Sequence, residues 1–273
     1  MKTLAILLST YNGEKYLKEQ IDSILQQSFS HFDIYIRDDG STDCTIDIIQ
    51  EYINGYSNIH FFKGANLGAA LSFMDLLKKV NSDYYMFCDQ DDVWLQNKIE
   101  KSISRIVQIE TKGEPALVFS DAKIVDEKLN LVNNSFWNYN KTFPEILLSN
   151  PKFISVFNCS PGCTMIFNNE LKKHLTDYDE DMLMHDWYIM IKALQKGVVS
   201  YINTSLMLYR QHSNNTIGAN EVSVKTFVNK VFLFPNILKE QIKTFKFVKK
   251  YTNINLLNYY ILKIKFNYKR LKI

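Results

Sequence analysis

The 273-residue chain is poor in the residues that break or staple a fold, with nine glycines, five prolines and four cysteines. So few breakers predict long regular elements. Cys44, Cys88, Cys159 and Cys163 are too few and too unevenly spread for the disulfide framework of a secreted module, and they fit a reducing cytoplasm. A membrane span is missing too: the longest uncharged stretch, Phe153 to Asn169, carries Asn, Ser, Pro and Gly instead of ~20 mostly apolar residues. The opening apolar run, Leu4 to Leu8, is shorter than the roughly 7–15 residues of a signal-peptide core, so it reads as a buried first strand. There is no internal repeat or low-complexity linker. What remains is globular, with 46% hydrophobic and 22% charged residues, which excludes collagen-like, coiled-coil and disordered chains. The length suits one catalytic-size domain plus an appendage.

Acids are scarce at the C-terminal end. Residues 222–273 hold twelve Lys and Arg against the single acid Glu240, a net charge of +11. Residues 1–221 hold 20 basic and 28 acidic side chains, a net −8. The expected organisation is therefore an acidic body, 1–221, and a basic amphipathic helical tail, 222–273. Within the body, residues 1–120 repeat one pattern of apolar run, polar loop and helical periodicity, whereas 121–221 loses it.

Leu4 to Leu8, Ile34 to Ile36, Ile59 to Phe62, Tyr84 to Cys88 and Ala116 to Phe119 read as strands. Helical faces recur between them, as in Tyr16, Leu17, Gln20, Ile21, Ile24 and Leu25. A further helix is expected from Asp186 to Gln195, stopped by Gly197, with short strands at Val198 to Ile202 and Leu206 to Tyr209. Strands alternating with helices predict an α/β fold with an open, mostly parallel, Rossmann-like sheet flanked by helices. Ligands of such sheets bind outside the carboxyl ends of the strands, so the polar loops that follow the strands are where chemistry is expected.

Asp89-Gln90-Asp91-Asp92 puts three acids in four positions after a buried run. Such a cluster needs solvent or a cation, and hard oxygen ligands suit Mg²⁺ or Mn²⁺ together with substrate phosphates. Asp38-Asp39-Gly40-Ser41 alone is ordinary turn chemistry, but two acidic loops on one sheet edge point to a nucleotide-diphosphate pocket. Read without context, Asp186 is a helix N-terminal acid favoured by the dipole. His185 and His212 are weak signals, and Trp94, Trp137 and Trp187 are core material by default. Cys159 and Cys163 lack the second ligand pair of a zinc site and read as structural.

Ser9-Thr10-Tyr11-Asn12-Gly13, Asp38-Asp39-Gly40-Ser41-Thr42-Asp43, Asn66-Leu67-Gly68 and Cys88-Asp89-Gln90-Asp91-Asp92-Val93-Trp94 stand in the order seen in family-two inverting glycosyltransferases with the GT-A fold. With Met184-His185-Asp186-Trp187 and Tyr209-Arg210-Gln211-His212, the chain most resembles the rhamnosyltransferase branch that builds bacterial cell-surface polysaccharides. The resemblance covers about residues 3–217 and divides the body into a nucleotide-sugar half, 1–120, and an acceptor half, 121–221. It implies that Thr10, Tyr11, Asn12, Asp39, Asn66, Gly68 and Asp89 bind the donor. It also implies that Asp91 and His212 hold Mg²⁺ or Mn²⁺, that Asp186 is the general base and that Trp187 meets the acceptor. Tyr188 departs from the family, where a second Trp is common, and puts the shape of the acceptor platform in question.

The partners implied are a nucleotide-diphosphate sugar, with dTDP-rhamnose the candidate from the rhamnosyltransferase branch, and a saccharide or lipid-linked acceptor. The tail interleaves apolar residues with lysines and suits the anionic inner face of the cell membrane, which would make the protein cytoplasmic and peripheral. The alternative is a tail packed on the body or on a second subunit as a homodimer. No nucleic-acid motif accompanies the charge. Two rival functions remain at this point. Asp89-Gln90-Asp91-Asp92-Val93 fits the motif of haloacid-dehalogenase-like phosphatases, although that motif belongs on a first strand. A non-catalytic sugar-nucleotide-binding module is the other, and it would have no need of Asp186 as a base.

Overall fold

The computed structural model describes residues 2–179, 182–212 and 234–273, with backbone alone for 234–238. Strands β1 (Leu4–Thr10), β2 (Asp33–Asp38), β3 (Ile59–Lys63) and β4 (Tyr84–Asp89) lie parallel in the order β3-β2-β1-β4. Helices α1 (Leu17–Leu25), α2 (Thr45–Gly55) and α3 (Ala69–Lys79) make the crossovers. Leu4 to Leu8 are buried without alternation because helices cover both faces of the sheet. From β1 the chain winds outward to β2 and β3, then returns to place β4 on the other side of β1. That reversal opens a crevice at the carboxyl ends of β1 and β4, where two of the motif loops emerge.

Beyond β4 the sheet is mixed. β6 (Ala116–Val125) runs parallel to β9 (Val198–Arg210), and β8 (Met165–Asn168) is inserted antiparallel between β4 and β6. The two-residue β5 (Val93–Trp94) adds antiparallel to β9, and β7 (Leu131–Asn133) pairs with β6. The two short strands expected after Gly197 are one strand, because irregularities around Asp121 let β6 and β9 resume pairing after a break. The strand β8 was not expected. It is four residues long and lies in a stretch whose Pro161 and Gly162 suggest a loop.

Each face of the sheet carries its own core. Leu17, Ile21 and Ile24 of α1 pack with Ile49 of α2 and with Ile99 and Ile106 of α4 (Lys98–Ile109) on one face. Phe73, Met74 and Leu77 of α3 pack with Tyr188 to Ile191 of α8 (His185–Lys196) on the other. Short helices α5 (Phe136–Asn140), α6 (Pro144–Ser149) and α7 (Asn169–Lys172) fill the second half.

The described part of the basic tail is helical, as expected. Helix α9 (Phe234–Thr252) and helix α10 (Leu256–Arg270) are joined by a turn in which Asn253 has φ 55° and Asn255 caps α10 by accepting from the Asn258 N–H. Their inner residues Phe247, Val248, Tyr251, Tyr259, Leu262 and Phe266 belong to the same core as α3 and α8. The expected body–tail boundary and Phe227, Val231 and Phe232 lie outside the described residues, as do the side chains of Phe234, Ile237 and Leu238. Among the described residues, no helix is long and apolar enough to cross a membrane.

Candidate active site

The four motif loops open on the same sheet edge and, with the loop before α8 and the end of β9, enclose a cleft of about 960 Å³. All eleven residues singled out from the sequence line it: Thr10, Tyr11, Asn12, Asp39, Asn66, Gly68, Asp89, Asp91, Asp186, Trp187 and His212. They come from elements up to 202 positions apart, brought together by the reversal at β1 and β4.

At the end of β1, the Tyr11 ring is half-exposed while its backbone is clamped by Gln90, whose amide accepts from Tyr11 N at 2.8 Å and donates to Tyr11 O at 3.0 Å. A Cβ on Gly13 would stand 2.3 Å from Gln90 Oε1, so glycine is required for this clamp. Asn12 sits at φ 48° with its side-chain oxygen accepting from Thr42 N, which ties the β1 loop to the β2 loop. Thr10 and Asp39 turn inward. The Thr10 hydroxyl donates to Asp38 at 2.9 Å. Asp39 accepts from the N–H groups of Leu67 and Gly68 and pairs with buried Arg37. Asp39 thereby anchors the 66–68 loop, where Gly68 at φ 78° starts α3.

The three clustered acids have different partners. Asp91 Oδ2 is 2.8 Å from His212 Nε2 at the cleft. Asp89 accepts from the Cys163 thiol, and burial beside the Asp91 and Asp186 charges pushes its carboxyl up to about 7. Asp92 is fully buried, accepts from Arg210 N at 3.0 Å and is pushed well above the ordinary carboxylate range by burial and by Asp91. Ligand atoms of Asp89, Asp92 and Cys163 also lie within 4.8 Å of one another, but Asp92 and Cys163 are buried behind the cleft floor.

Asp186 opens α8 and is surrounded by protein except where it faces the cleft. Burial raises its pKa to about 6, against hydrogen bonds from the Trp187 and Gly162 N–H groups and the Asn158 amide, which pull it down. That leaves a carboxylate able to accept a proton near neutral pH. His185 also reaches the cleft wall. Its ring packs 4.5 Å from Phe73 and 5.0 Å from Phe87, and burial lowers its pKa to about 3.

Trp187 lines the cleft with its indole N–H donating to Ile154 O at 2.7 Å. Trp94 and Trp137 are buried. Tyr188 is buried as well, donates to Asp177 and packs on Tyr251, so the departure at this position alters the core and not the cleft lining. All four cysteines are free thiols.

Arg210 had no role assigned from sequence. It is 2% exposed, donates to the carbonyls of Asp91 and Glu127, pairs with Glu19 and stacks on Tyr16 at 4.6 Å. It pins the acidic loop from behind. Gln90, Asn158 and Gly162 were missed too. Gln90 lies inside the acidic motif without a charge to mark it, and Asn158 and Gly162 stand in a stretch with no motif at all.

The acidic motif follows the fourth strand, which removes the phosphatase reading. The Glycosyl transferase family 2 profile matches residues 5–175. The chain is 33% identical over 244 residues to the dTDP-rhamnosyl transferase RfbG of Shigella flexneri, covering 84% of this chain and 79% of that protein. It is also 33% identical over 224 residues to the putative teichuronic acid biosynthesis glycosyltransferase TuaG of Bacillus subtilis, covering 80% and 82%.

Among solved structures, S. aureus TarS 1-349 in complex with UDP-GlcNAc has a TM-score of 0.62 at 21% identity, covering 97% of this chain and 76% of that one. A second crystal structure of S. aureus TarS 1-349 gives 0.60 at 23% identity, covering 77% and 60%. The mannosyltransferase PcManGT from Pyrobaculum calidifontis, in complex with GDP-Man and Mn²⁺, gives 0.57 at 12% identity, covering 78% and 58%. At these identities the solved structures establish the GT-A fold alone. The chain belongs to glycosyl transferase family 2 and is a glycosyltransferase.

Proposed function

We propose that the protein transfers rhamnose from dTDP-rhamnose, with inversion and with a divalent metal, onto a cell-surface polysaccharide or lipid-linked oligosaccharide. In this reading it works as a peripheral protein at the inner face of the cell membrane. The observation that carries the proposal is that Asp186 and the Asp91–His212 pair line one cleft. The donor identity draws support from the likeness to RfbG.

The Asp91 carboxylate at the cleft is the hard oxygen ligand that suits Mg²⁺ or Mn²⁺, and His212 Nε2, 2.8 Å from it, lies within reach of the same ion. Asp91 and His212 would hold the ion, and Asp89 would add charge beside it. When bound, the cation stabilises the negative charge that grows on the departing diphosphate. The protein's own groups do the rest. Tyr11 presents its ring to the base, and the loops braced by Asn12 and Asp39 border the ribose and sugar. Trp187 supports the acceptor. Asp186 takes the acceptor hydroxyl's proton as that oxygen attacks the anomeric carbon. A single displacement needs only one such base and gives inversion.

The test is nucleotide release by purified protein with Mn²⁺ or Mg²⁺ across UDP-, dTDP- and GDP-sugars. The expected result is highest release from dTDP-rhamnose, abolished by EDTA. Preference for another donor overturns the rhamnose assignment, and full activity in EDTA overturns the metal.

A further inference from the structure

We infer that the outer face of α10 is a docking surface for an anionic phospholipid bilayer. This rests on the peripheral placement proposed above and names the surface responsible. At 100° per residue, α10 has two opposite apolar faces. Tyr259, Leu262 and Phe266 point into the core. On the far side, Leu257, Tyr260, Ile261, Ile264, Tyr268 and Leu271 form a second stripe, with Leu257 71%, Ile264 69% and Leu271 81% exposed. A helix needs only one apolar face to pack on its own protein, so the second stripe is left for something else.

Charge selects the occupant. Exposed Lys265 and Lys272 flank the stripe on one side with exposed Lys269 beyond them, whereas Lys263 and Arg270 on the other side lie over the Tyr259 and Phe266 rings, and no acid occurs between Leu256 and Ile273. Two copies packed stripe to stripe would bring these cations together, whereas anionic headgroups neutralise them while the acyl boundary takes the apolar side chains. Fifteen residues span roughly 22 Å, short of the ~30 Å hydrocarbon core, so α10 would lie in the interface and not cross it. The docked helix also reaches the cleft. Phe266 stacks on Phe157 with centroids 4.0 Å apart, and Phe157 lines the acceptor side of the site. A bilayer held on the outer stripe would thus keep that side of the cleft near lipid-linked acceptors.

The experiment is co-sedimentation of the full chain with vesicles of phosphatidylcholine, with and without phosphatidylglycerol, at low salt. Two triple variants accompany it, Leu257→Gln/Ile264→Gln/Leu271→Gln and Lys265→Gln/Lys269→Gln/Lys272→Gln. The expected result is binding to anionic vesicles only, with the lysine variant weakened roughly a hundredfold, on the order of fivefold per charge. The apolar variant should lose binding as well, and both should keep nucleotide release on a soluble acceptor. Wild-type protein that ignores anionic vesicles overturns the peripheral placement itself. Wild-type-like binding by both variants leaves that placement standing and overturns the assignment to α10. A wild-type dimer in light scattering that the apolar variant converts to monomer makes the stripe a subunit interface, which also overturns the inference.

Discussion

Asp91 and His212 are 121 positions apart in sequence, yet His212 Nε2 lies 2.8 Å from Asp91 Oδ2 in the lining of the cleft. The contact depends on Arg210, which holds the acidic loop by the Asp91 carbonyl two residues before the histidine. If both side chains hold the metal, His212→Ala and Asp91→Asn should each raise the Mn²⁺ needed for half-maximal nucleotide release by tenfold or more, with unchanged circular dichroism. A metal titration for either variant that overlays the wild type would remove that residue from the metal site.

Arg210→Met should cost about 1–3 kcal/mol, because it leaves the carbonyls of Asp91 and Glu127 without their donor in a buried place. Denaturant unfolding at constant m checks this. A loss under about 1 kcal/mol would mean that the buried guanidinium does not hold the loop.

Gly197→Ala should destabilise by about 1–3 kcal/mol or more, since a Cβ there would stand 1.9 Å from the Pro115 carbonyl oxygen, which accepts from Val198 N. Backbone cannot step aside as a flexible side chain can. An unchanged thermal midpoint would contradict the close approach of α8 to β6.

Deleting residues 234–273 should yield an insoluble or partly unfolded body. The deletion strips Phe247, Val248, Tyr251, Tyr259, Leu262 and Phe266 from a core shared with α3 and α8. Full chain and truncation can be compared by size-exclusion chromatography and thermal melting. A monomeric truncation that melts as the full chain does would show that the tail's inner face contributes little to stability.

These contrasts mark what the sequence discloses. β1 to β4 and their helices were legible because buried parallel strands read as unbroken apolar runs, and the polar loops after them mark the ligand edge. β8 was hidden by its four-residue length beside Pro161 and Gly162. The tail was half legible: lysines between apolar residues signal an amphipathic helix, but no periodicity tells whether Tyr259 or Ile264 faces the core when both sides are apolar. Arg210 illustrates the limit for the site. A buried cation declares itself only through partners from α1 and the loops after β4 and β6 that folding gathers, whereas Asp89, Asp91 and Asp186 stand out through their loops and the helix start.

The pH dependence follows from Asp186. Its carboxyl ionises near pH 6, above the ordinary carboxylate range because burial disfavours the charged form. A base must be deprotonated to work, so kcat/KM should rise about tenfold per pH unit below that value and level off above it. Asn158→Ala removes a hydrogen bond that favours the charged form, so the rising limb should move to higher pH. A limb that stays in place in the variant would show that another group sets it.

The most direct measurement is single-turnover transfer by Asp186→Asn alongside its affinity for the donor. The substitution keeps size and one hydrogen-bonding oxygen while removing the proton acceptor. Donor affinity should stay within a few-fold of wild type while the transfer rate falls by roughly 10²–10⁴, the range of a lost general base. A variant that transfers at the wild-type rate once donor is bound, whatever its affinity, would contradict the assignment of Asp186 as the base.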